Sequence, residues 1–166
     1  MTFAQTQRLC FALALAWPVV GLADSAMSTI AVSATVRRNC TIATTPLAFG
    51  SYDPVVGNAS TPLDGTATVT IACTMGTPAS IGLDTGANAA TAQRRLTNGS
   101  AAYLNYEIFL DSAHSTVWGT DTTNQLDAGT APSKTPRAFP VYGRIPAAQD
   151  VPIGPFSDAV VATVNF

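Results

Sequence analysis

Residues 154–166 read Gly-Pro-Phe-Ser-Asp-Ala-Val-Val-Ala-Thr-Val-Asn-Phe. Alternate positions are apolar, and only Asp158 interrupts a row made of Phe156, Val160, Ala162, Val164 and Phe166. A period of two predicts a strand that buries one face. No turn or partner strand follows in the sequence. We therefore expect either an edge strand or a neighbouring position that another chain covers, and we take the second as the working hypothesis.

The composition favours a single all-β exported domain without a basic surface. Only 11% of the 166 residues are charged, and lysine and glutamate, which favour helices, occur once each, as Lys134 and Glu107. The formal net charge is −2 at pH 7. Nucleic-acid binding depends on clustered positive charge, so we expect no nucleic-acid partner.

An apolar run near the N-terminus predicts a secretory signal over residues 1–23. Arg8 supplies a positive charge, residues 9–20 form the apolar region, and Gly21-Leu22-Ala23 provides small residues near a cleavage site. The run is shorter than the roughly 20 residues of a transmembrane helix. We therefore expect the mature chain to be exported.

Two cysteines follow this signal, Cys40 and Cys73. An even number in an oxidising compartment predicts one disulfide, and the alternative is a pair of buried free thiols. A metal site has less support, because the chain lacks Cys-x-x-Cys and has a single histidine, His114. We expect His114 to be a solvated loop residue rather than a catalytic base, and we expect no cofactor.

Further alternating runs predict several strands. The first covers residues 28–39 and places Ile30, Val32, Ala34 and Val36 on one face. A short apolar piece covers residues 46–50. The third run covers residues 66–73, and the next covers residues 79–84; their inward faces are Ala67, Val69, Ile71 and Cys73, then Ile81 and Leu83. Later runs cover residues 103–110, 116–119 and 138–145, and we predict an exposed loop over residues 120–135. Short strands separated by Gly and Pro indicate a sandwich or a barrel. A disulfide between the first and third runs favours the sandwich.

A series of short motifs runs from about residue 31 to residue 166. They are Val32-x-Ala34-x-Val36 before Asn39-Cys40-Thr41, Pro46-Leu47-x-Phe49-Gly50-x-Tyr52-Asp53, Thr70-Ile71-x-Cys73-Thr74, Arg94-Arg95-Leu96, Leu104-x-Tyr106-x-Ile108-Phe109, Val117-Trp118-Gly119, Val141-Tyr142-Gly143-Arg144-Ile145-Pro146 and Gly154-x-Phe156-x-Asp158. In this order and together, they resemble the spore coat protein U domain family. That family includes subunits of the archaic chaperone–usher pili of Gram-negative bacteria.

The resemblance implies an incomplete immunoglobulin-like β-sandwich that lacks its last strand and is completed by a donor strand. In such subunits a periplasmic chaperone first lends a strand, and the N-terminal segment of the next subunit then replaces it during polymerisation through an outer-membrane usher. The donor segment would be residues 24–38, and the pilin-like domain would be residues 39–166. The inserted row would be Ile30, Val32, Ala34 and Val36, and the acceptor groove would be lined partly by Phe156, Val160, Ala162, Val164 and Phe166, with Phe166 also anchoring the chaperone.

The implied function is a structural subunit of a cell-surface pilus, used for surface attachment or biofilm formation, with no enzymatic activity and no small-molecule substrate. Two alternatives remain. The first is a non-polymerising coat or tip-binding module in which residues 24–38 complete their own sheet. The second is a dimeric aspartic protease, because Asp84-Thr85-Gly86 matches the short signature of that class, whose chemistry needs two aspartates. We expect Arg94 and Arg95 to be solvated at a strand start.

Overall fold

The computed structural model describes residue 21 and residues 24–166. The predicted signal at residues 1–23 therefore lies outside the described residues, apart from Gly21. The chain divides into a first unit that ends at Thr35 and a second unit, Val36–Phe166, that contains all the strands of the described part. Among the described residues, no helix is long and apolar enough to cross a membrane.

Residues 24–166 form eight strands in two antiparallel sheets. The strands are β1 (Cys40–Thr44), β2 (Leu63–Cys73), β3 (Pro78–Leu83), β4 (Arg94–Thr97), β5 (Tyr103–Phe109), β6 (Leu126–Thr130), β7 (Arg137–Ile145) and β8 (Ala162–Asn165). The larger sheet has the order β1-β2-β7-β5-β4, and the smaller has the order β6-β3-β8. The predicted all-β class is therefore confirmed.

The buried faces follow the alternation in the sequence. Along β2 the inward row is Ala67, Val69, Ile71 and Cys73, as predicted, and β3 contributes the fully buried Ile81 and Leu83. Trp118 is also fully buried, and its Nε1 donates a hydrogen bond of 2.8 Å to the carbonyl oxygen of Ile81. A buried indole needs such a partner for its N–H group. The core therefore lies between the two sheets.

Three predicted elements differ from the structure. No strand forms over residues 28–39, because apolar alternation suits a strand but does not supply its hydrogen-bonded neighbour. Residues 116–119 form only a single bridge, between Phe109 and Val117. The predicted loop at 120–135 contains β6, which pairs with β3 although its sequence is poor in strand-forming residues.

The predicted disulfide is confirmed. Cys40 on β1 and Cys73 on β2 are directly opposite each other, and a bond joins their sulfur atoms. They are the first pair in the β1–β2 register. The bond therefore fixes the start of β1 against its only partner strand in the described structure.

A buried arginine joins the two sheets. Arg94, on β4, is 1% exposed, so the expectation of a solvated side chain is wrong. Its guanidinium donates hydrogen bonds to the carbonyl oxygens of Leu83, Asp84 and Trp118, and its Nη1 lies 2.5 Å from Oε1 of Glu107 on β5. These acceptors come together only when the sheets pack, so the local sequence does not reveal them.

His114 is also less solvated than expected. Its side chain is 8% exposed and packs edge-on against the rings of Phe109 and Tyr142. The loop that carries it is held by Asp111, whose carboxylate accepts hydrogen bonds from the backbone N–H groups of Ser115 and Thr116. The turn residues predicted the loop, but they did not predict that it would fold back over the sheet.

Candidate strand-acceptor groove

β8 has one unpaired edge in the described structure. It pairs with β3 alone, and the backbone N–H of Asp84 extends this pairing to the carbonyl oxygen of Val161 at 3.1 Å. Backbone hydrogen bonds alternate between the two sides of an antiparallel strand. The N–H and C=O groups of Val160, Ala162 and Val164 therefore point away from β3, towards an edge where another strand can add.

β1 faces this edge from the other sheet. It is the terminal strand of the larger sheet and pairs only with β2 within the described residues. Its Cα atoms come within 8 Å of those of β8, but the two strands form no ladder. The two sheets are consequently not joined by hydrogen bonds along the line between β1 and β8, which we call the opening. A strand added there would have to move the two edges apart, since it needs about 4.8 Å on each side.

A cavity of about 280 Å³ lies behind this opening. Its floor is the inner face of the larger sheet, and Val160 and Ala162 lie along one side. The apolar floor residues are Ala67, Val69, Leu96, Ile108 and Val141. Protein interiors are close-packed and contain few voids larger than a water molecule. A space of this size between two sheets can therefore accept side chains from outside the domain.

A second cavity, of about 680 Å³, continues the first. It lies between residues 47–54 and residues 151–158, and both cavities are lined by Leu47, Phe49 and Asp158. We call these two cavities, together with the inward face of β8 that continues them, the acceptor groove. The cavities follow the chain from residue 151 to residue 162, and β8 continues to Asn165.

A pair of glycines positions one wall of the acceptor groove. Gly65 on β2 and Gly143 on β7 are directly opposite each other. A Cβ atom on Gly143 would lie 2.7 Å from Cδ2 of Leu47 and 2.8 Å from Cζ of Phe49. The missing side chains therefore let Leu47 and Phe49 pack directly on the sheet, as glycines within strands commonly allow.

The structure brings most of the predicted groove residues to one face. Phe156, Val160, Ala162 and Val164 are half-buried and pack against the core, whereas Phe166 is 51% exposed. The intervening odd-numbered residues from 157 to 165 are exposed. This burial pattern matches the alternation in the sequence, while the role of these residues in accepting a strand stays a prediction.

Asp158, which in the sequence only interrupts the apolar row, provides a polar site within the groove. Its Oδ2 accepts a hydrogen bond of 2.8 Å from the hydroxyl of Tyr106. Its Oδ1 accepts hydrogen bonds from the backbone N–H and the side-chain amide of Asn88, at 3.1 and 2.8 Å. The sequence does indicate this inward position, because the even number of Asp158 places it on the same face as Phe156 and Val160.

Comparison with known proteins places this architecture in a family. The sequence model of the Spore Coat Protein U domain matches residues 26–163. The chain belongs to the Spore Coat Protein U domain family. Protein U of Myxococcus xanthus is 36% identical over 130 residues, which cover 72% of this chain and 71% of that protein.

A solved structure shows that the fold of this Spore Coat Protein U domain is shared. It is the crystal structure of the CsuC–CsuE chaperone–tip adhesion subunit pre-assembly complex from the archaic chaperone–usher Csu pili of Acinetobacter baumannii. The TM-score is 0.58 at 23% identity, and the match covers 80% of this chain but 40% of the solved chain. The likeness confirms the predicted sandwich, and the open line between β1 and β8 is consistent with a missing last strand.

The N-terminal segment of this Spore Coat Protein U domain chain has apolar side chains in contact with solvent. Residues 24–39 form no strand, and Ile30, Val32 and Val36 are 86%, 90% and 83% exposed. Ala34, between them, is exposed as well. Burying a side chain of the size of Val or Ile contributes about 1.5–3 kcal/mol. The row therefore has a substantial apolar surface available for binding.

The Asp84-Thr85-Gly86 motif has a structural use in this domain. Oδ1 of Asp84 accepts hydrogen bonds of 2.9 Å from the backbone N–H groups of Gly86 and Val161. These bonds tie the end of β3 to the segment that leads into β8. Within residues 24–166, no three side chains of His, Cys, Asp or Glu form a group that could hold a metal ion.

Tyr106 is expected to make the stability of the domain fall above about pH 10. Burial, followed by the hydrogen bond to the Asp158 carboxylate, raises the pKa of Tyr106 above its usual value of 10.0. The unfolded chain therefore ionises this group first. Its stabilising contribution is complete below pH 10 and is lost as the pH rises, at up to about 1.4 kcal/mol per pH unit.

The measurement is the free energy of unfolding between pH 8 and pH 11 for the unmodified protein, Tyr106→Phe and Tyr103→Phe. Tyr103 is 40% exposed and serves as the control. We expect Tyr106→Phe to reduce the slope above pH 10 and Tyr103→Phe to keep more of it. The same slope in all three proteins would contradict the assignment.

Proposed function

We propose that this chain is a structural pilin-type subunit that polymerises by donor-strand exchange. In this proposal the N-terminal residues 24–38 of one copy occupy the acceptor groove of another. The observation that carries the proposal is the unpaired edge of β8 beside an apolar groove, in a chain that also has an exposed alternating apolar row. The match of the family model, which begins at residue 26, supports including this segment in the functional unit.

Addition of the donor strand would pair the free backbone edge of β8 and bury the exposed apolar row of the N-terminal segment in the same step. The backbone groups of the donor would bond to the free edge of β8, and Ile30, Val32, Ala34 and Val36 would enter the groove. The three larger side chains of this row would contribute several kcal/mol by leaving water. The added strand would also explain why residues 28–39 have a strand pattern without a strand in the single chain.

The proposed partners are other pilus subunits, a periplasmic chaperone and an outer-membrane usher. An exposed apolar edge is an aggregation hazard before assembly, and a chaperone that covers the groove would remove it. The solved complex of similar fold pairs a chaperone with a tip adhesion subunit, which supports such a partner here. Phe166, half exposed beyond β8, is the proposed anchor for the chaperone.

The proposed function also implies a cellular location and a biological role for the chain. The subunit would pass through the periplasm to a pilus at the cell surface, where it would serve surface attachment or biofilm formation. Its role would be structural rather than catalytic, since the Asp84 carboxylate ties the end of β3 to the segment before β8 and Arg94 joins the two sheets.

The test is the size distribution of the mature protein purified from periplasm, with and without residues 24–38. We expect ladders that resist mild denaturant for the intact protein and their loss on truncation. A matched pair of full-length variants sharpens the result. Val32→Asp places a charge in the inserted row and should abolish the ladders, whereas Ser33→Asp places it on the opposite face and should retain them.

Two outcomes would overturn the proposal. The first is a stable monomer whose size does not depend on residues 24–38, which would leave the self-contained secreted binding module. The second is equal polymerisation of Val32→Asp and Ser33→Asp, which would show that the alternating row does not enter a groove.

A further inference from the structure

We propose that the donor strand binds antiparallel to β8 in a single register, in which Arg38 of one copy pairs with Asp158 of the next. This inference rests on the proposed function and adds to it the alignment of the two strands and the residues that fix that alignment. It follows from the alternation on both strands, the hydrogen bonds of Asp158 and the charge of Arg38.

The alternation restricts the possible registers to steps of two residues. Opposing residues on neighbouring strands place their side chains on the same face of the sheet, and a slip of one residue reverses every side chain. The inward row of β8 and its preceding segment has even numbers, from Phe156 to Val164. The donor row also has even numbers, and it ends with a charged residue, Arg38, after Val36.

One antiparallel register matches the two rows throughout. Ile30 is then opposite Phe166, Ala34 is opposite Ala162, and Arg38 is opposite Asp158. Every apolar donor side chain has an apolar neighbour, and the one charge in each row meets the opposite charge. A shift of two residues places either Val36 beside Asp158 or Arg38 beside Val160.

A parallel donor fits less well. With the two rows aligned end to end, Ile30 would lie beside Asp158 and Arg38 beside Phe166. If Arg38 were instead kept beside Asp158, the apolar donor residues would lie beside residues 150–156. They would then miss the free backbone edge of Val160, Ala162 and Val164, on which strand addition depends.

Asp158 is suited to receive a cation from the donor. Its carboxylate is half-buried, and its hydrogen-bond donors, Tyr106 and Asn88, are neutral. No salt bridge to Asp158 forms within the described part of the chain. A strand laid over the groove would bury this charge further, which is costly unless the charge is paired. A guanidinium can pair with it through charge-assisted hydrogen bonds.

The neighbouring Arg37 differs from Arg38 in the face that its side chain takes. Its odd number places it on the face opposite to the inserted row. Arg37 is therefore the matched control for the role of Arg38.

Cysteine cross-linking in the full-length mature protein tests the register. A chain with Ala34→Cys and Ala162→Cys is expected to form ladders that survive boiling in detergent without reductant and collapse when reductant is added. Chains with Ala34→Cys and either Val160→Cys or Val164→Cys are the controls. Diagonal neighbours lie about 7–8 Å apart, beyond the usual disulfide span, so these controls should not form covalent ladders.

A second measurement tests the ion pair itself. We expect Arg38→Ala to speed the dissociation of polymer in mild denaturant about tenfold to a hundredfold, as for loss of a hydrogen bond between charged groups. Arg37→Ala should change the rate of polymer dissociation less than about twofold. Combining Arg38→Ala with Asp158→Asn should add little to the effect of either change alone.

The outcomes separate the register from polymerisation. Ladders that form while the covalent link appears only with Val160→Cys or Val164→Cys would overturn the register and leave donor-strand exchange intact. Equal effects of Arg37→Ala and Arg38→Ala would overturn the ion pair. A complete absence of polymer for the unmodified protein would overturn the proposed function and this inference together.

Discussion

Replacing Arg94 with alanine is expected to lower the free energy of unfolding by about 3–5 kcal/mol, as for removal of one partner of a buried ion pair. The change would leave the Glu107 carboxylate without its cation. It would also leave the carbonyl oxygens of Leu83, Asp84 and Trp118 without a donor in the core. These groups belong to both sheets, so the loss would weaken their packing against each other.

Denaturant unfolding of Arg94→Ala and Arg95→Ala measures this effect. Arg95 is the adjacent arginine on the same strand, but it is only partly buried and its guanidinium lies 3.9 Å from the centre of the Tyr103 ring. We expect Arg95→Ala to cost no more than about 1–2 kcal/mol. Arg94→Lys keeps the charge but not the planar guanidinium, so its loss in the free energy of unfolding should lie between those of the two alanine variants. Equal losses for Arg94→Ala and Arg95→Ala would contradict the buried role of Arg94.

Removing the disulfide by replacing Cys40 and Cys73 with alanine is expected to cost about 3–4 kcal/mol. The two cysteines are separated by 33 residues, and the bond restricts the unfolded chain over this loop. The change would also release the start of β1, which is one edge of the opening that leads to the acceptor groove. We therefore expect polymers of the double variant to dissociate faster as well.

Unfolding with and without reductant provides the check. Reductant should lower the stability of the unmodified protein to that of the double variant and should leave the double variant unchanged. Equal destabilisation of both proteins by reductant would show that the effect does not come from this bond. Cys10 lies in the predicted signal, so the protein used in this measurement starts at residue 24.

The parts of the fold that could be predicted are those encoded by local alternation. β2 and β3 have inward rows of Val, Ile and Leu at every second position, and both were predicted with the correct buried face. The half-buried row from Phe156 to Val164 was also predicted, although β8 itself covers only Ala162–Asn165. The disulfide followed from the count of cysteines beyond the signal.

The parts that could not be predicted depend on contacts between distant segments. β6 has the sequence Leu-Asp-Ala-Gly-Thr, which shows little apolar alternation. It is a strand because its backbone pairs with the edge of β3. Arg94 is buried because carbonyl oxygens from β3 and from Trp118 surround it. The wall of the acceptor groove depends on Leu47 and Phe49 meeting two glycines that are far from them in sequence. None of these contacts has a local pattern.

The unpaired edge of β8 has a consequence for the symmetry of any assembly built on it. The edge and the donor row are different surfaces of one chain, so a contact that joins them between two copies would be heterologous and would leave one free surface on each copy. Unless two copies exchange donors reciprocally or the contact bends into a larger ring, the contact would continue as a filament. The filament would be directional, with an empty groove at one end and a free donor at the other. Its length would depend on subunit supply and on a capping subunit rather than on geometry.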